Sequence, residues 1–298
     1  MRIGIDLGST KIDVIALGSE GATLMAQRVP ISGGDYEQVL TSIATLVKEA
    51  EDKAGEPGTV GIGTPGTISA KTGKLKNANS AYLIGRDLPT DVARRLGREV
   101  RLANDANCFA LSEATDGAAA AGRLVLGVIL DAGVGAGLVI DKNIIHGANG
   151  IAGEFGHNPL PWAGTEEFLG ARCYCGKFGC IESFLSGPAL QRAYKIRSGR
   201  YININEIARA AAAREPEAIA CLAEYEDRLA RSLASVVNIL DPDVIVLGGA
   251  LSQIERDYRA LHEAIAHYAI TDRLDTRIVP ALHGDTSGVR GAAMLWPA

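Results

Sequence analysis

Aromatic residues are scarce in this 298-residue chain: they make up 5% of it, with two tryptophans and five phenylalanines. No apolar run approaches the ~20 residues of a membrane-spanning helix. A basic excess is missing as well. Thirty Lys and Arg stand against 35 Asp and Glu, a formal charge of −5, whereas nucleic-acid binders carry a basic patch or stripe. The cluster Arg94-Arg95 with Arg98 reads instead as the solvated face of a short helix. The opening Met1-Arg2-Ile3-Gly4-Ile5-Asp6 has no charged leader, apolar segment or cleavage site. A cytoplasmic protein that meets neither membrane nor nucleic acid is expected. Cysteines number five, an odd count that leaves one unpaired in any disulfide set, and such a compartment disfavours disulfides. Hydrophobic residues at 47% and charged residues at 22% exclude disorder.

What the chain has in abundance is glycine, 35 residues concentrated in a few loops. Ile3, Ile5 and Leu7 alternate, as do Ile12, Val14 and Ala16 after a turn holding Gly8, the pattern of a hairpin. An extended run over 22–29 stops at Pro30. Over 36–53 the period becomes helical, with Val39, Ile43, Leu46, Val47 and Ala50 on one face. A strand over 60–63 breaks at Pro65-Gly66, and a short helix (88–97) precedes a strand over 100–103 that is expected to be buried. The order βββ-α-β-α-β gives an α/β layer arrangement with a mixed sheet. A second unit begins near Arg123, with strands over 124–130, 138–140 and 144–146. A helix over 215–240 follows, limited by Pro242, and then a buried strand over 244–247 ending in Gly248-Gly249.

The halves echo each other: Ile5-Asp6-Leu7-Gly8 and Leu130-Asp131-Ala132-Gly133 each end a strand and open a turn. Two ordinary hairpins explain the echo; so does a duplicated fold that holds a nucleotide between two phosphate-binding hairpins. In Asp6-Leu7-Gly8-Ser9-Thr10-Lys11, Gly8 permits close backbone approach and the turn's N–H groups form an anion nest. Thr10 adds a hydroxyl, Lys11 a positive charge, and Asp6 a carboxylate of the kind Mg²⁺ prefers. A plain turn also uses Asp and Gly. The loop Asp131-Ala132-Gly133-Val134-Gly135-Ala136-Gly137 leads into a strand, so it is neither a Rossmann fingerprint nor a P-loop. Gly248-Gly249, where a strand runs into a helix, suits close approach of an adenosine.

His157 with Cys173, Cys175 and Cys180 supplies the four N/S ligands of a closed tetrahedral zinc site, structural because no position stays open. Cys108 and Cys221 read as small core residues. Asn104-Asp105 lies at a strand's carboxyl end, where α/β sheets bind ligands. Asp105 there can accept a substrate hydroxyl proton, as the catalytic-loop Asp of protein kinases does, or simply cap the following helix. Glu154 and Glu182, near the metal loop, suit sugar hydroxyls.

Together these residues resemble the ROK family (repressor, ORF, kinase) of sugar kinases over essentially the whole chain. The resemblance rests on Gly4 to Lys11, Gly63-Thr64-Pro65-Gly66, Ala103-Asn104-Asp105-Ala106-Asn107, Gly153-Glu154-Phe155-Gly156-His157, Cys173-Tyr174-Cys175-Gly176 and Gly179-Cys180-Ile181-Glu182. Within the family, residues 76–80, 157–162 and 283–291 look like bacterial fructokinases that also take mannose. The resemblance implies a duplicated actin/hexokinase-like (ribonuclease H-like) α/β fold with two lobes around an ATP and sugar cleft. The lobes would be 1–116 and 117–298, with residues from about 287 packing back on the first. It implies transfer of the ATP γ-phosphoryl to a hexose 6-hydroxyl, most simply that of fructose or mannose, with an N-acetylhexosamine or glucose as the alternative. By carry-over Asp105 is the general base, and Gly66, Asn79, Asn104, Glu154, His157 and Glu182 line the sugar pocket. The second ring nitrogen of His157 would be free to donate to the sugar. Asp6, Gly8, Ser9, Thr10, Lys11, Asp131, Ala132, Gly133, Gly135, Gly248 and Gly249 would face ATP and Mg²⁺. A homodimer is the family's common state.

Two departures stand out. Ser9 replaces a glycine usual in the family, and Asp131-Ala132 replaces the usual Gly-Thr, placing a carboxylate near the polyphosphate. Two like charges near 4 Å repel by about 4 kcal/mol at an effective dielectric of 20, which leaves open a sugar-binding protein without turnover. The family's repressors carry an N-terminal helix-turn-helix, whereas here the first strand starts at Arg2.

Overall fold

The computed structural model describes every residue except Ser9, 32–34, Ala70, Asn79, Leu169 and Ala298. Two sequence-picked residues, Ser9 and Asn79, therefore lie outside the described residues. In chain order the elements begin with β1 (Arg2–Leu7), β2 (Lys11–Leu17), β3 (Thr23–Pro30), α1 (Tyr36–Ala54), β4 (Thr59–Thr64), β5 (Thr67–Ile68), β6 (Leu75–Lys76), α2 (Leu88–Leu96), β7 (Val100–Asn104) and α3 (Asp105–Thr115). Then come β8 (Leu124–Leu130), β9 (Val134–Ile140), β10 (Asn143–Ile144), α4 (Glu182–Leu185), α5 (Gly187–Ser198), α6 (Ile204–Ala212), α7 (Pro216–Leu240), β11 (Val244–Gly248), α8 (Tyr258–Tyr268), β12 (Arg277–Pro280) and α9 (Ser287–Ala293). No helix among the described residues is long and apolar enough to cross a membrane.

Helix ends follow from local chemistry. Asp35 caps α1 by accepting from the Glu37 N–H, and Gly55 ends it in the left-handed conformation at φ 74°. Pro216 opens α7, and Asp241 ends it at φ 46° just before Pro242.

Two five-stranded sheets share one order, β3-β2-β1-β4-β7 and β10-β9-β8-β11-β12. In each, an antiparallel meander leads into parallel strands, which is the duplication the echo of the two Asp-x-Gly turns suggests. In the first sheet Asp6 lies opposite Asp13 across the β1–β2 pair and opposite Gly63 across the parallel β1–β4 pair. Gly63 in turn lies opposite Ala103, and Thr64 opposite Asn104. Asp6, Gly63 and Asn104-Asp105 thus line up at the carboxyl ends of three parallel strands.

Four expectations change. β7 is a sheet edge with only Ala103 buried, because no further strand covers its outer side. β9 begins at Val134, so Gly135 sits in a strand and the turn narrows to Asp131–Gly133. His146 lies outside β10, and a 3-10 turn (Ala250–Gln253), not an α-helix, follows Gly248-Gly249.

The chain forms two compact units: one of residues 1–120, 137–152 and 285–298, the other of 121–136 and 153–284. In the first unit, the second half of β9 passes close over α3, since a Cβ on Gly137 would lie 2.4 Å from the Ala106 carbonyl oxygen. There α9 packs against β1, β4 and α3. Its approach requires glycine: a Cβ on Gly61 would stand 1.9 Å from the Ala292 oxygen, and one on Gly291 1.7 Å from the Cys108 oxygen. Cys108 and Cys221 are both buried core residues.

Candidate active site

In the first unit the site is built on the strand ends. Asn104 caps α3 by accepting from the N–H groups of Ala106 and Asn107, and its amide donates to the Gly66 carbonyl at 3.2 Å. Gly66 has φ 79°, and a Cβ there would lie 2.4 Å from the Lys76 oxygen. The segment after β6 therefore closes directly over Gly66. Asp105 opens α3 with Oδ1 accepting from the Ala106 N–H at 2.8 Å. Because Asn104 holds the capping position, the helix does not require the carboxylate of Asp105.

Asp6 is buried beside this corner. Burial first, then the charges of Asp105 and Asp13, push its pKa up to about 7 from an ordinary 3.8, against Lys11 and Arg28. Asp13 was not singled out in the sequence, although strand alternation placed it on the opposite face from Ile12 and Val14. Its carboxylate pairs with Arg28 at 2.5 Å and Lys11 at 3.2 Å. Lys11 is thus already partnered. The Gly8 N–H donates to the Lys11 carbonyl at 3.0 Å and closes the turn, so it is not part of an open nest. Thr10 is exposed, and its carbonyl accepts from the Ile31 N–H.

In the second unit the Asp131 carboxylate accepts from two glycine-rich loops. Oδ1 takes the Ala132 N–H at 2.7 Å and Oδ2 the Ala250 N–H at 3.2 Å. Its backbone N–H donates to the Gly133 oxygen, and its carbonyl accepts from Gly187. Gly249, at φ 85°, presses against the end of β8, where a Cβ would lie 2.4 Å from the Leu130 oxygen. The charge placed here by the exchange of Gly for Asp is therefore bound by backbone donors.

The His157, Cys173, Cys175 and Cys180 ligand atoms lie within 4.8 Å of one another. His157 Nδ1 is 3.6 Å from Cys173 Sγ, and the Cys175 and Cys180 sulfurs are 3.6 Å apart. A tetrahedral zinc with Zn–S near 2.3 Å sets its ligands about 3.8 Å apart, so this donor set fits the ion. The other ring nitrogen of His157 is not free: Nε2 meets the Tyr174 hydroxyl at 2.9 Å, with Glu154 Oε2 at 3.9 Å. Glu182 accepts the Val134 N–H at 3.0 Å and faces Cys173 Sγ at 3.5 Å. The segment 158–162 is braced from beneath. Leu160 N–H donates to the Gly179 oxygen, and Arg231 Nη1 donates to the Pro161 and Trp162 carbonyls at 3.0 Å.

The ROK family model matches residues 2–298. An N-acetyl-D-glucosamine kinase of Yersinia pseudotuberculosis is 40% identical over 301 residues, covering 99% of this chain and 98% of its own. Among solved structures, a ROK hexokinase from Thermus thermophilus is 30% identical at TM-score 0.87, covering 98% of this chain and 96% of its own. A ROK glucokinase from Streptomyces griseus in complex with glucose and AMPPNP is 27% identical at TM-score 0.80, covering 99% and 98%. The corner at the carboxyl ends of β1, β4 and β7, the matching sheet orders and the whole-chain matches agree: this chain has the actin/hexokinase-like fold and belongs to the ROK family.

Proposed function

We propose that this sugar kinase transfers the γ-phosphoryl of ATP to the 6-hydroxyl of a hexose, with Asp105 accepting the hydroxyl proton. The observation that carries the reading is the alignment of Asp6, Gly63 and Asn104-Asp105 at three strand ends, with Asn104 fixed to Gly66 and to α3. Phosphoryl transfer asks mainly for positioning and charge neutralisation. Bound Mg²⁺ supplies that neutralisation, and Asp6, crowded by Asp105 and Asp13, suits a divalent cation nearby. Asp131 to Gly133, Gly248, Gly249, Thr10 and Lys11 are assigned to the nucleotide. Gly66, Asn104, Glu154 and Glu182 are assigned to the sugar, and His157 with them where a sugar hydroxyl replaces the Tyr174 hydroxyl on its Nε2. A structural zinc ion on His157, Cys173, Cys175 and Cys180 would hold the sugar loop in shape.

N-acetyl-D-glucosamine is the first-choice sugar, supported by relatives at 38–40% identity over 99% of the chain that carry this activity in their names. Fructose and mannose form the second reading, supported by the fructokinase-like segments 76–80, 157–162 and 283–291. A coupled ADP-release assay with Mg-ATP across fructose, mannose, glucose and the N-acetylhexosamines tests both. Preference for N-acetyl-D-glucosamine bears out the first, and preference for fructose and mannose the second. No turnover on any sugar, with sugar still bound, overturns the kinase reading.

A further inference from the structure

Glu182 stands two residues after Cys180, and its carboxylate is divided between partners of different kinds. Oε2 accepts the Val134 N–H at 3.0 Å, while Oε1 faces the Cys173 sulfur at 3.5 Å. Val134 is the first residue of β9, directly after the Asp131–Gly133 turn, and a Cβ on Gly133 would lie 2.9 Å from the same Oε2. The other side of the Val134 residue is also occupied. Its carbonyl oxygen packs on Gly156, where a Cβ would stand 2.3 Å away, and Gly156 immediately precedes His157. The turn is thus gripped at one residue by both arms of the Cys/His cluster: the arm bearing Cys180 holds its N–H, and the arm bearing His157 lies against its C=O.

We propose that Glu182 is a positioning residue that couples metal occupancy of the His157, Cys173, Cys175 and Cys180 cluster to the Asp131–Gly133 turn and so to nucleotide affinity. A carboxylate hydrogen bond to a backbone N–H is roughly twice as strong as a neutral one. It holds only while the segment that projects the carboxylate stays in place. A metal bound through Cys180 and Cys173 fixes the residue two before Glu182 and the sulfur that its Oε1 faces. Without it, the ligand side chains meet only through thiol contacts of 3.5–3.6 Å, which are weak, and the loop keeps only its backbone bonds, such as that from the Ile181 N–H to the Asn158 carbonyl at 2.9 Å. Metal loading therefore keeps Glu182 on Val134, and metal loss lets the turn drift. The effect on affinity rests on the proposed role of this turn in nucleotide binding.

The test compares zinc-loaded and chelator-treated full-length protein as wild type, Glu182→Gln and Glu182→Ala. Two quantities are read without sugar: Mg-ATP affinity by calorimetry and amide exchange at Val134 by NMR, with Leu126 in β8 as the folding control. Glutamine keeps an oxygen for the Val134 N–H, and alanine keeps none. Losing one such bond is worth about 1 kcal/mol, several-fold in an equilibrium constant. Chelation is expected to speed Val134 exchange and weaken Mg-ATP several-fold in wild type and the Gln variant. The zinc-loaded Ala variant should already exchange fast at Val134 and slowly at Leu126, and chelation should leave its Mg-ATP affinity unchanged. Val134 protection in the zinc-loaded Ala variant equal to wild type overturns the proposal. So does an equal loss of affinity on chelation in all three proteins. Failure of zinc-loaded wild type to bind Mg-ATP at all counts against the kinase reading, while Val134 exchange decides the tether by itself.

Discussion

At the scale of single residues, the structure gives the cap of α3 to Asn104, which leaves the carboxylate of Asp105 for the proposed role of base. The Asn104 side chain satisfies the first free N–H groups of α3, so replacing it with alanine should cost about 1 kcal/mol of stability, read as a lower melting temperature. Asp105→Asn should leave the melting temperature near wild type and lower kcat by roughly 10²- to 10⁴-fold, the usual worth of a positioned base. Equal loss of stability from both would return Asp105 to a capping role. Asp131 separates in the same way. Its carboxylate already occupies the N–H groups of Ala132 and Ala250, so a phosphate bound at this turn, as proposed, would have to displace it. Asp131→Gly with Ala132→Thr should therefore lower the KM for ATP, roughly tenfold if about 1.4 kcal/mol of competition is removed; an unchanged KM sinks this account. The grouping of His157, Cys173, Cys175 and Cys180 was legible because zinc chemistry calls for these residue types in this number, and the structure brings the four side chains together. Asp13 was not: its significance depends on the residue opposite it in the neighbouring strand, which spacing along one chain does not give.

At the scale of elements, apolar pattern located β1, β2, α1, α7 and β11 to within a residue or two, because the helices bury one continuous face and the strands are buried nearly throughout. Glycine misled the reading of β9. Alternate glycines after Asp131 suggest a loop, yet Val134 through Ile140 form a strand because the neighbouring backbone demands bare positions: Gly137 lies over α3. The brace between α7 and the distant loop that carries Glu167 is another element-level feature hidden from the sequence. Glu167, largely covered, binds Arg228 at 2.7 Å and Arg231 at 3.0 Å. Despite opposition from burial, hydrogen bonds from Arg231, then Arg228 and the Gly164 N–H, lower its pKa from 4.5 to about 2. A carboxylate depressed by folding stabilises the protein above its unfolded pKa and loses that contribution as pH falls through the folded value. Glu167→Gln should thus be destabilising at pH 7, on the order of 3 kcal/mol because two covered guanidinium groups lose their partner. The gap in melting temperature from wild type should shrink between about pH 4.5 and pH 2. A gap that stays constant over that range would exclude the ionised carboxylate as its source.

At the scale of the whole molecule, the duplication was legible from two short turns, because both halves repeat the same strand order around an Asp-x-Gly hairpin. What pattern reading along the chain does not supply is the physical dependence of the first unit on the last residues. α9 has seven residues, mostly small, and no long apolar stripe; by itself it carries no signal of a core helix. Its place is fixed by distant absences of side chain, at Gly61 and within α9 at Gly291, and by polar anchors in a buried setting. Ser287 donates to Glu113 at 2.7 Å, and Arg290 pairs with Asp116 at 2.5 Å, while Glu113 is fully buried. Removing α9 would take Ser287 away from Glu113 and expose the faces of β1 and β4, and at about 25 cal/mol per Å² uncovering a few hundred Å² of apolar surface costs several kcal/mol. Against a typical total of 5–15 kcal/mol, that loss suffices to unfold a unit. A chain ending at Gly284 should therefore lose amide protection at Ile5 and Ile62 while Leu126 and Val246 in the second unit stay protected, as read by hydrogen exchange. Continued protection of Ile5 and Ile62 would mean that the first unit holds its sheet without the returning helix, and that the close approach at Gly61 and Gly291 is a packing convenience, not a condition of folding.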